Sequence, residues 1–111
     1  MMENLPFREL NSVIHAPIRL TLMSALSGVD SADFPSLREI LDVSDSVLSK
    51  HLALLESAGY VELVKGKAGR RPRTWVSLTE GGHDALEEYL AALHAVVDQA
   101  SQTRLTSKME A

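Results

Sequence analysis

The stretch SDSVLSKHLALLESAGYVEL (residues 44–63) contains a change of periodicity that organises the rest of the chain. Leu48, Leu52 and Leu55 recur at helical spacing, which predicts an amphipathic helix with one buried face. Gly59 is typical of the residue that follows the end of a helix, and the apolar and aromatic residues around it favour a strand next. A helix followed closely by an extended strand is therefore expected here.

A second helix is predicted immediately before this stretch, over residues 35–41, with Asp42, Val43 and Ser44 as the turn. Ser44 is a favourable N-cap for the following helix, which we place at residues 44–58. Two helices joined by a turn of about three residues form a helix-turn-helix arrangement.

A basic hairpin is predicted directly after these two helices. Residues 60–65 and 73–78 are rich in Val, Leu, Thr and aromatic residues and flank a loop with glycine and proline, which predicts an antiparallel β-hairpin. Its connecting segment KGKAGRRPR (65–73) carries five basic residues and no acidic one, although the whole chain has a net charge of −4. A basic tip on an acidic protein favours an anionic partner, with the nucleic-acid phosphate backbone as the leading candidate.

Two helices are predicted in the first part of the chain. One covers residues 5–14, and the next begins at Pro17, a favourable first-turn residue, and stops at Gly28. The loop that follows contains Phe34, for which a very short strand is expected.

The final helix, predicted over residues 79–103 with Thr79 as its start, carries apolar residues at alternating spacings of four and three. This stripe is longer than a small domain needs for its own core, and such an exposed apolar stripe favours a symmetric homodimer. Residues 104–111 are expected to form a disordered tail. The expected interface residues, which include part of the first helix, are Phe7, Leu10, Ile14, Leu86, Tyr89, Leu90, Leu93 and Val97.

The composition is that of one small domain covering residues 1–111. The mean hydropathy is −0.01, and no apolar run approaches the length of a membrane span. The first residues lack the apolar core of a signal peptide, and with no cysteine the chain has neither disulfides nor thiolate ligands. A cytoplasmic protein is expected.

The assembled pattern resembles the ArsR-like and MarR-like winged helix-turn-helix transcription regulators, in particular the small winged helix DNA-binding domain family. This resemblance implies a mainly α fold with a small antiparallel β-hairpin, containing five helices, and a DNA-binding regulator. The matching segments are HAPIRLTLMSAL (15–26), ADFPSLREIL (32–41), SVLSKHLALLESAGYVEL (46–63) and KGKAGRRPRTWVSLTEGG (65–82).

In this family pattern the helix at 44–58 is the recognition helix, whose small polar residues approach base edges in the major groove. The basic segment 65–73 is the wing, which either enters the minor groove or holds phosphates. Asp45 either caps the helix or accepts from a cytosine amino group. The resemblance implies that His51 touches the DNA backbone, with a hydrogen bond inside the fold as the alternative. The expected DNA contacts are Ser44, Asp45, Ser46, Ser49, Lys50, His51, Lys65, Lys67, Arg70, Arg71 and Arg73.

Three other binding functions are weaker alternatives. His83 and His94 match the spacing of zinc ligands in some ArsR-like sensors, but Gly81 and Val97 stand where two further ligands belong, so no metal or other cofactor is expected. A small-molecule effector, as in MarR-like proteins, would need a pocket that a sequence cannot reveal. A protein-binding winged helix in a larger assembly is the third alternative, and such domains usually lose the basic wing.

An enzyme is not expected. Ser49 and His51 lie two residues apart on one helix and point to different faces, so they cannot form a nucleophile and its base. The glycine-containing basic segment lacks the pattern of a phosphate-binding P-loop.

Overall fold

The computed structural model describes residues 10–110, and the side chains of residues 10–102. Within that part of the chain it contains four helices, where five were predicted, and three strands. The predicted fold class, mainly helical with a small antiparallel sheet, is confirmed. In chain order the elements are α1 (Pro17–Ser27), β1 (Ala32–Asp33), α2 (Phe34–Leu41), α3 (Asp45–Ser57), β2 (Val61–Ala68), β3 (Arg71–Leu78) and α4 (Glu80–Glu110).

The helix predicted at residues 5–14 is wrong over the described residues, where a turn precedes α1. The side chain of Asn11 accepts hydrogen bonds from the backbone N–H groups of Val13, at 2.9 Å, and Ile14, at 3.3 Å. Its carbonyl accepts from the N–H of His15 at 2.8 Å. An Asn side chain that binds nearby backbone in this way competes with helix formation, so the chain makes one turn before Pro17 begins α1.

Helices α2 and α3 form the predicted helix-turn-helix. Helix α2 ends at Asp42, which adopts a left-handed conformation with φ of 53°. The predicted cap of α3 is confirmed, because the Ser44 hydroxyl accepts from the N–H of Val47 at 3.2 Å. Gly59 follows the helix with φ of 80°, a value that favours glycine.

The hairpin is longer and its turn tighter than predicted. Strands β2 and β3 pair from Val61↔Leu78 to Ala68↔Arg71, which leaves a two-residue turn in place of the predicted seven-residue loop. Gly69 opens the turn with φ of 65°. Pro72 lies outside the short stretch of β3 that also pairs with β1, so its missing N–H is tolerated there.

One hydrophobic core joins the helices to the sheet, whose strand order is β1-β3-β2. All three predicted apolar residues of α3 are fully buried in it. Two core residues come from α4, Leu86 and Tyr89. The remaining fully buried side chains are Ile14, Leu22, Met23, Leu26, Leu37 and Val76.

Helix α4 begins where predicted and extends further than predicted. The Thr79 hydroxyl accepts from the N–H of Gly82 at 2.9 Å, as an N-cap does. A side chain at Gly82 would place its Cβ 2.2 Å from the carbonyl oxygen of Tyr60, so the helix lies directly against the base of the hairpin. The helix continues to Glu110, so the tail expected at 104–111 is helical over 104–110. None of the helices among the described residues is long and apolar enough to cross a bilayer.

Candidate nucleic-acid interface

The outward face of α3 is polar and solvent-exposed. With its three core leucines turned inward, the helix exposes Ala53 together with Ser46, Ser49 and Lys50, which the sequence predicts as DNA contacts. Small side chains allow the helix backbone to approach a surface closely, and hydroxyl and ammonium groups can bond to base edges or phosphates.

A groove of about 360 Å³ lies between α3 and the hairpin. Ser49, Ala53 and Glu56 of α3 line one side, and Lys65 of β2 and Thr74 of β3 line the other. The structure therefore brings together two predicted DNA contacts, Ser49 and Lys65, that are 16 residues apart in the sequence. The groove makes α3 and the hairpin parts of one continuous surface.

The five cations of the hairpin are divided between the two faces of the sheet. Directly opposed residues lie on the same face, so the register places Lys65 beside Thr74 and Lys67 beside Pro72 on the face that lines the groove. Arg71 and Arg73 lie on the opposite face, and Arg70 lies in the turn. The basic segment therefore does not present all its charge in one direction.

Arg73 forms an ion pair inside the fold. Its Nη1 donates to Oδ2 of Asp33 at 2.7 Å, and Oδ1 of the same carboxylate caps α2 by accepting from the N–H of Ser36 at 3.0 Å. The hydrogen bonds from Ser36, with a smaller contribution from the Arg73 charge, lower the pKa of Asp33 below its usual value. Arg73, predicted as a DNA contact, therefore ties the hairpin to α2.

The other four hairpin cations are Lys65, Lys67, Arg70 and Arg71, and all four are exposed. None of them has an ion-pair partner among the side chains that the structure describes. They form the part of the predicted basic segment that is open to an outside anion.

Asp45 lies at the first turn of α3, where a carboxylate suits the helix dipole. Its Oδ1 accepts from Nη1 of Arg38 on α2 at 2.6 Å, and both side chains are largely exposed. Ser44 lies just before it, with its hydroxyl engaged in the helix cap and 3.2 Å from the hydroxyl of Ser46. Arg38 was not among the predicted site residues, since nothing in the spacing of the sequence links it to Asp45.

His51 is half-buried on the flank of α3 that faces α1. Its Nδ1 lies 3.0 Å from Nη1 of Arg19, so the internal hydrogen bond considered as an alternative from sequence is present. Burial, followed by the charges of Arg19 and Lys50, lowers the pKa of His51 below its usual value. Arg19 was also missed from the sequence, where it looks like any polar residue of an amphipathic helix.

Two aliphatic residues of α3 that the sequence did not single out are also exposed. Val47 and Leu54 lie seven residues apart on one side of the outward face, and neither belongs to the core. Their seven-residue spacing, which places both on one side of the helix, is visible in the sequence. The leucines at spacings of four and three define the buried face more strongly, so the exposed pair is easily overlooked.

The predicted dimer residues fall into three groups. Ile14, Leu86 and Tyr89 are buried within the chain's own core, and Leu10 and Leu93 are partly buried against it. Phe7 lies outside the described residues. The third group is exposed on α4: Leu90 is 42% exposed and Val97 is 55% exposed.

No group of three or more potential metal ligands converges within the described residues, and His83 and His94 both lie on the exposed surface of α4.

The phenol of Tyr89 is hydrogen-bonded to Nδ1 of His15 at 2.8 Å, which connects the turn before α1 to α4.

Comparison with known proteins gives consistent matches over most of the chain. Residues 18–97 match a family model described as a winged helix DNA-binding domain. The chain is 30% identical over 78 residues to the uncharacterized protein MJ0432 of Methanocaldococcus jannaschii, covering 70% of this chain and 85% of that protein.

Two solved structures have similar folds. A transcriptional regulator homologue from Pyrococcus horikoshii OT3 superposes with a TM-score of 0.80 at 31% identity, covering 86% of this chain and 96% of that one. A transcriptional regulator of the MarR family from Enterococcus faecalis V583 superposes with a TM-score of 0.66 at 26% identity, covering 86% of this chain and 84% of that one.

Proposed function

This chain belongs to the winged helix DNA-binding domain family and is a winged-helix transcriptional regulator, and from that premise we propose how it holds duplex DNA. Helix α3 enters the major groove, and the hairpin tip lies along the adjacent backbone or minor groove. The observation that carries this proposal is the shared groove between α3 and the hairpin, with Ser49 on one wall and Lys65 on the other.

Within α3, we assign base contacts to Ser46, Ser49 and Lys50. All three are exposed, and a Ser hydroxyl or a Lys ammonium can bond to purine and pyrimidine edges. We assign Asp45 and His51 to holding α3 in place, because each is already bonded to an arginine of a neighbouring helix.

The hairpin supplies the electrostatic part of binding in this proposal. Lys65 and Lys67 face the same side as α3, and Arg70 and Arg71 extend from the tip. Contacts from such cations to phosphates release counterions, so they make binding depend on salt. Arg73 contributes little to this effect because Asp33 already neutralises its charge.

We further propose that two chains form a symmetric dimer through α4. Leu90 and Val97 leave apolar surface exposed on a helix of 31 residues, which is about 46 Å long. A two-fold axis then presents two α3 helices to the same face of the DNA, so half-sites are expected about 10 base pairs apart or a multiple of that distance.

Selection of bound sites from random duplex DNA tests the proposal. Palindromic enriched sites with the expected half-site spacing would support both major-groove reading and the dimer. Binding of random duplex should weaken steeply with salt. A protein that shows no salt-dependent binding to any duplex would instead favour a protein-binding winged helix and contradict the proposed function.

A further inference from the structure

The bond between Arg19 and His51 assigns the protons of the histidine. A guanidinium can only donate hydrogen bonds, so Nδ1 of His51, 3.0 Å from Nη1 of Arg19, must be an unprotonated acceptor. The single proton of the neutral ring then lies on Nε2. Since burial and the two nearby cations, Arg19 and Lys50, lower the pKa of His51, this neutral form is the one present at pH 7.

Arg19 also reaches a third part of the molecule. Its Nε donates to the carbonyl oxygen of Val13 in the turn before α1. Asn11 anchors that turn to the start of the hairpin, because its Nδ2 donates to the Tyr60 hydroxyl at 2.7 Å. One guanidinium on α1 therefore joins the anchored N-terminal turn to α3.

The two arginine contacts to α3 lie on opposite flanks of its buried stripe. Residues of a helix are separated by about 100° of rotation, so Asp45 and His51, six positions apart, lie about 120° apart around the axis. The buried leucines lie between them. Arg38 of α2 holds one flank through Asp45, and Arg19 of α1 holds the other through His51.

We propose that Arg19 is a positioning residue for DNA recognition: through the half-buried hydrogen bond to His51 it fixes the rotation of α3 about its own axis. That rotation determines which side chains of α3 meet the base edges. The inference rests on the proposed entry of α3 into the major groove. It concerns Arg19 more than Arg38, because the ion pair of Arg38 with Asp45 is largely exposed and such pairs contribute little.

The test measures the affinity of the full chain for a selected duplex and for random duplex, and takes their ratio as the specificity. Arg19→Met removes the donors, Arg19→Lys keeps the charge but cannot span both acceptors, and His51→Leu removes the acceptor. Each should lower the specificity ratio about tenfold, the effect of losing a charge-assisted hydrogen bond. The affinity for random duplex should change much less, because the exposed cations remain.

Two variants serve as matched controls. His51→Asn keeps an acceptor close to the position of Nδ1, so it should retain the wild-type ratio within about twofold. Arg38→Met removes the exposed contact on the other flank and should change the ratio by less than Arg19→Met. Thermal unfolding of every variant establishes that the ratio is measured on folded protein.

A spectroscopic measurement tests the bond independently of DNA. Nitrogen chemical shifts of the His51 ring should show the Nε2–H tautomer in the wild type and a mixture in Arg19→Met, with the pKa of His51 rising in that variant. Protonation of Nδ1 abolishes its ability to accept, so the specificity of the wild type should fall as the pH is lowered through the pKa of His51, which lies below its usual value, and that of His51→Asn should not.

The outcomes separate this inference from the function on which it rests. Wild-type protein that binds no duplex at low salt overturns the proposed function and the role of Arg19 together. Normal wild-type binding with an unchanged specificity ratio in Arg19→Met overturns only the role of Arg19. An unchanged His51 tautomer and pKa in that variant would also overturn it.

Discussion

The surface formed by α3 and the hairpin differs from the exposed side of α4, which contains Leu90 and Val97, in the chemistry of its exposed side chains. The α3 surface is polar and basic, and α3 is held on both flanks by hydrogen bonds to neighbouring helices. Between Leu93 and residue 102, the last whose side chain the structure describes, α4 contributes no residue to the core, and the side chain of Val97 is 55% exposed. The first surface matches an anionic duplex and the second matches another apolar surface, so the two differ in the partner that they can accept.

The largest effect should come from the inward side of the first region. Leu55→Ala removes a fully buried side chain of α3 and should lower the free energy of unfolding by about 2–5 kcal/mol. Its neighbour Leu54 is 45% exposed, and Leu54→Ala should cost less than about 0.5 kcal/mol. Urea unfolding of the two variants measures the difference. Equal losses would mean that the rotation of α3 differs from the one described.

The second prediction concerns the two exposed aliphatic side chains of α4, Leu90 and Val97. Replacing Leu90 and Val97 together by Glu should convert a dimer into a monomer in sedimentation experiments at micromolar concentration. Affinity for a two-half-site duplex should fall by at least about 100-fold, because simultaneous binding of both half-sites is lost.

Ile40 on α2 is the matched control for that experiment, since it is 61% exposed and outside α4. Ile40→Glu should leave the sedimentation coefficient unchanged. A wild-type protein that sediments as a monomer of 12.1 kDa would contradict the proposal that the exposed aliphatic side chains of α4 bind a second copy of the chain.

The smallest effect should distinguish two arginines of one strand. Arg71 and Arg73 lie on the same face of β3, but only Arg73 has an internal carboxylate partner. Arg71→Ala should reduce the slope of log affinity against log salt by about one unit. Arg73→Ala should leave the slope nearly unchanged and lower the thermal stability. If Arg73→Ala also lowers the slope by one unit, Arg73 must leave Asp33 and bind a phosphate in the complex.

Much of the fold follows from local sequence signals. The spacing of leucines located α3, and the Ser44 cap and Gly59 fixed its ends, because these features depend on residues within one or two turns. The helix predicted at residues 5–14 is the informative exception, because residues 10–14, the part of it that the structure describes, form a turn. The apolar spacing favoured a helix there, but Asn11 formed local hydrogen bonds that compete with one.

The candidate site was predicted only as far as each residue acts alone. Exposure of the α3 residues and the charge of the hairpin are properties of single positions in a pattern. The Arg73–Asp33 pair and the Arg19–His51 bond join residues 40 and 32 positions apart, and no periodicity contains that information. Likewise, a heptad-like stripe cannot reveal that Leu86 and Tyr89 face the chain's own core.

The contact of Gly82 with the carbonyl of Tyr60 has a mechanical consequence. With no side chain between them, the start of α4 lies directly against the base of the hairpin, and the helix continues for 17 residues, about 26 Å, beyond Leu93, the last of its described residues that packs against the core. A tilt of this segment by about 8° moves its far end by about 4 Å, close to the rise of one base pair. In the proposed dimer, the angle at which the two α4 helices cross therefore sets the distance between the two α3 helices.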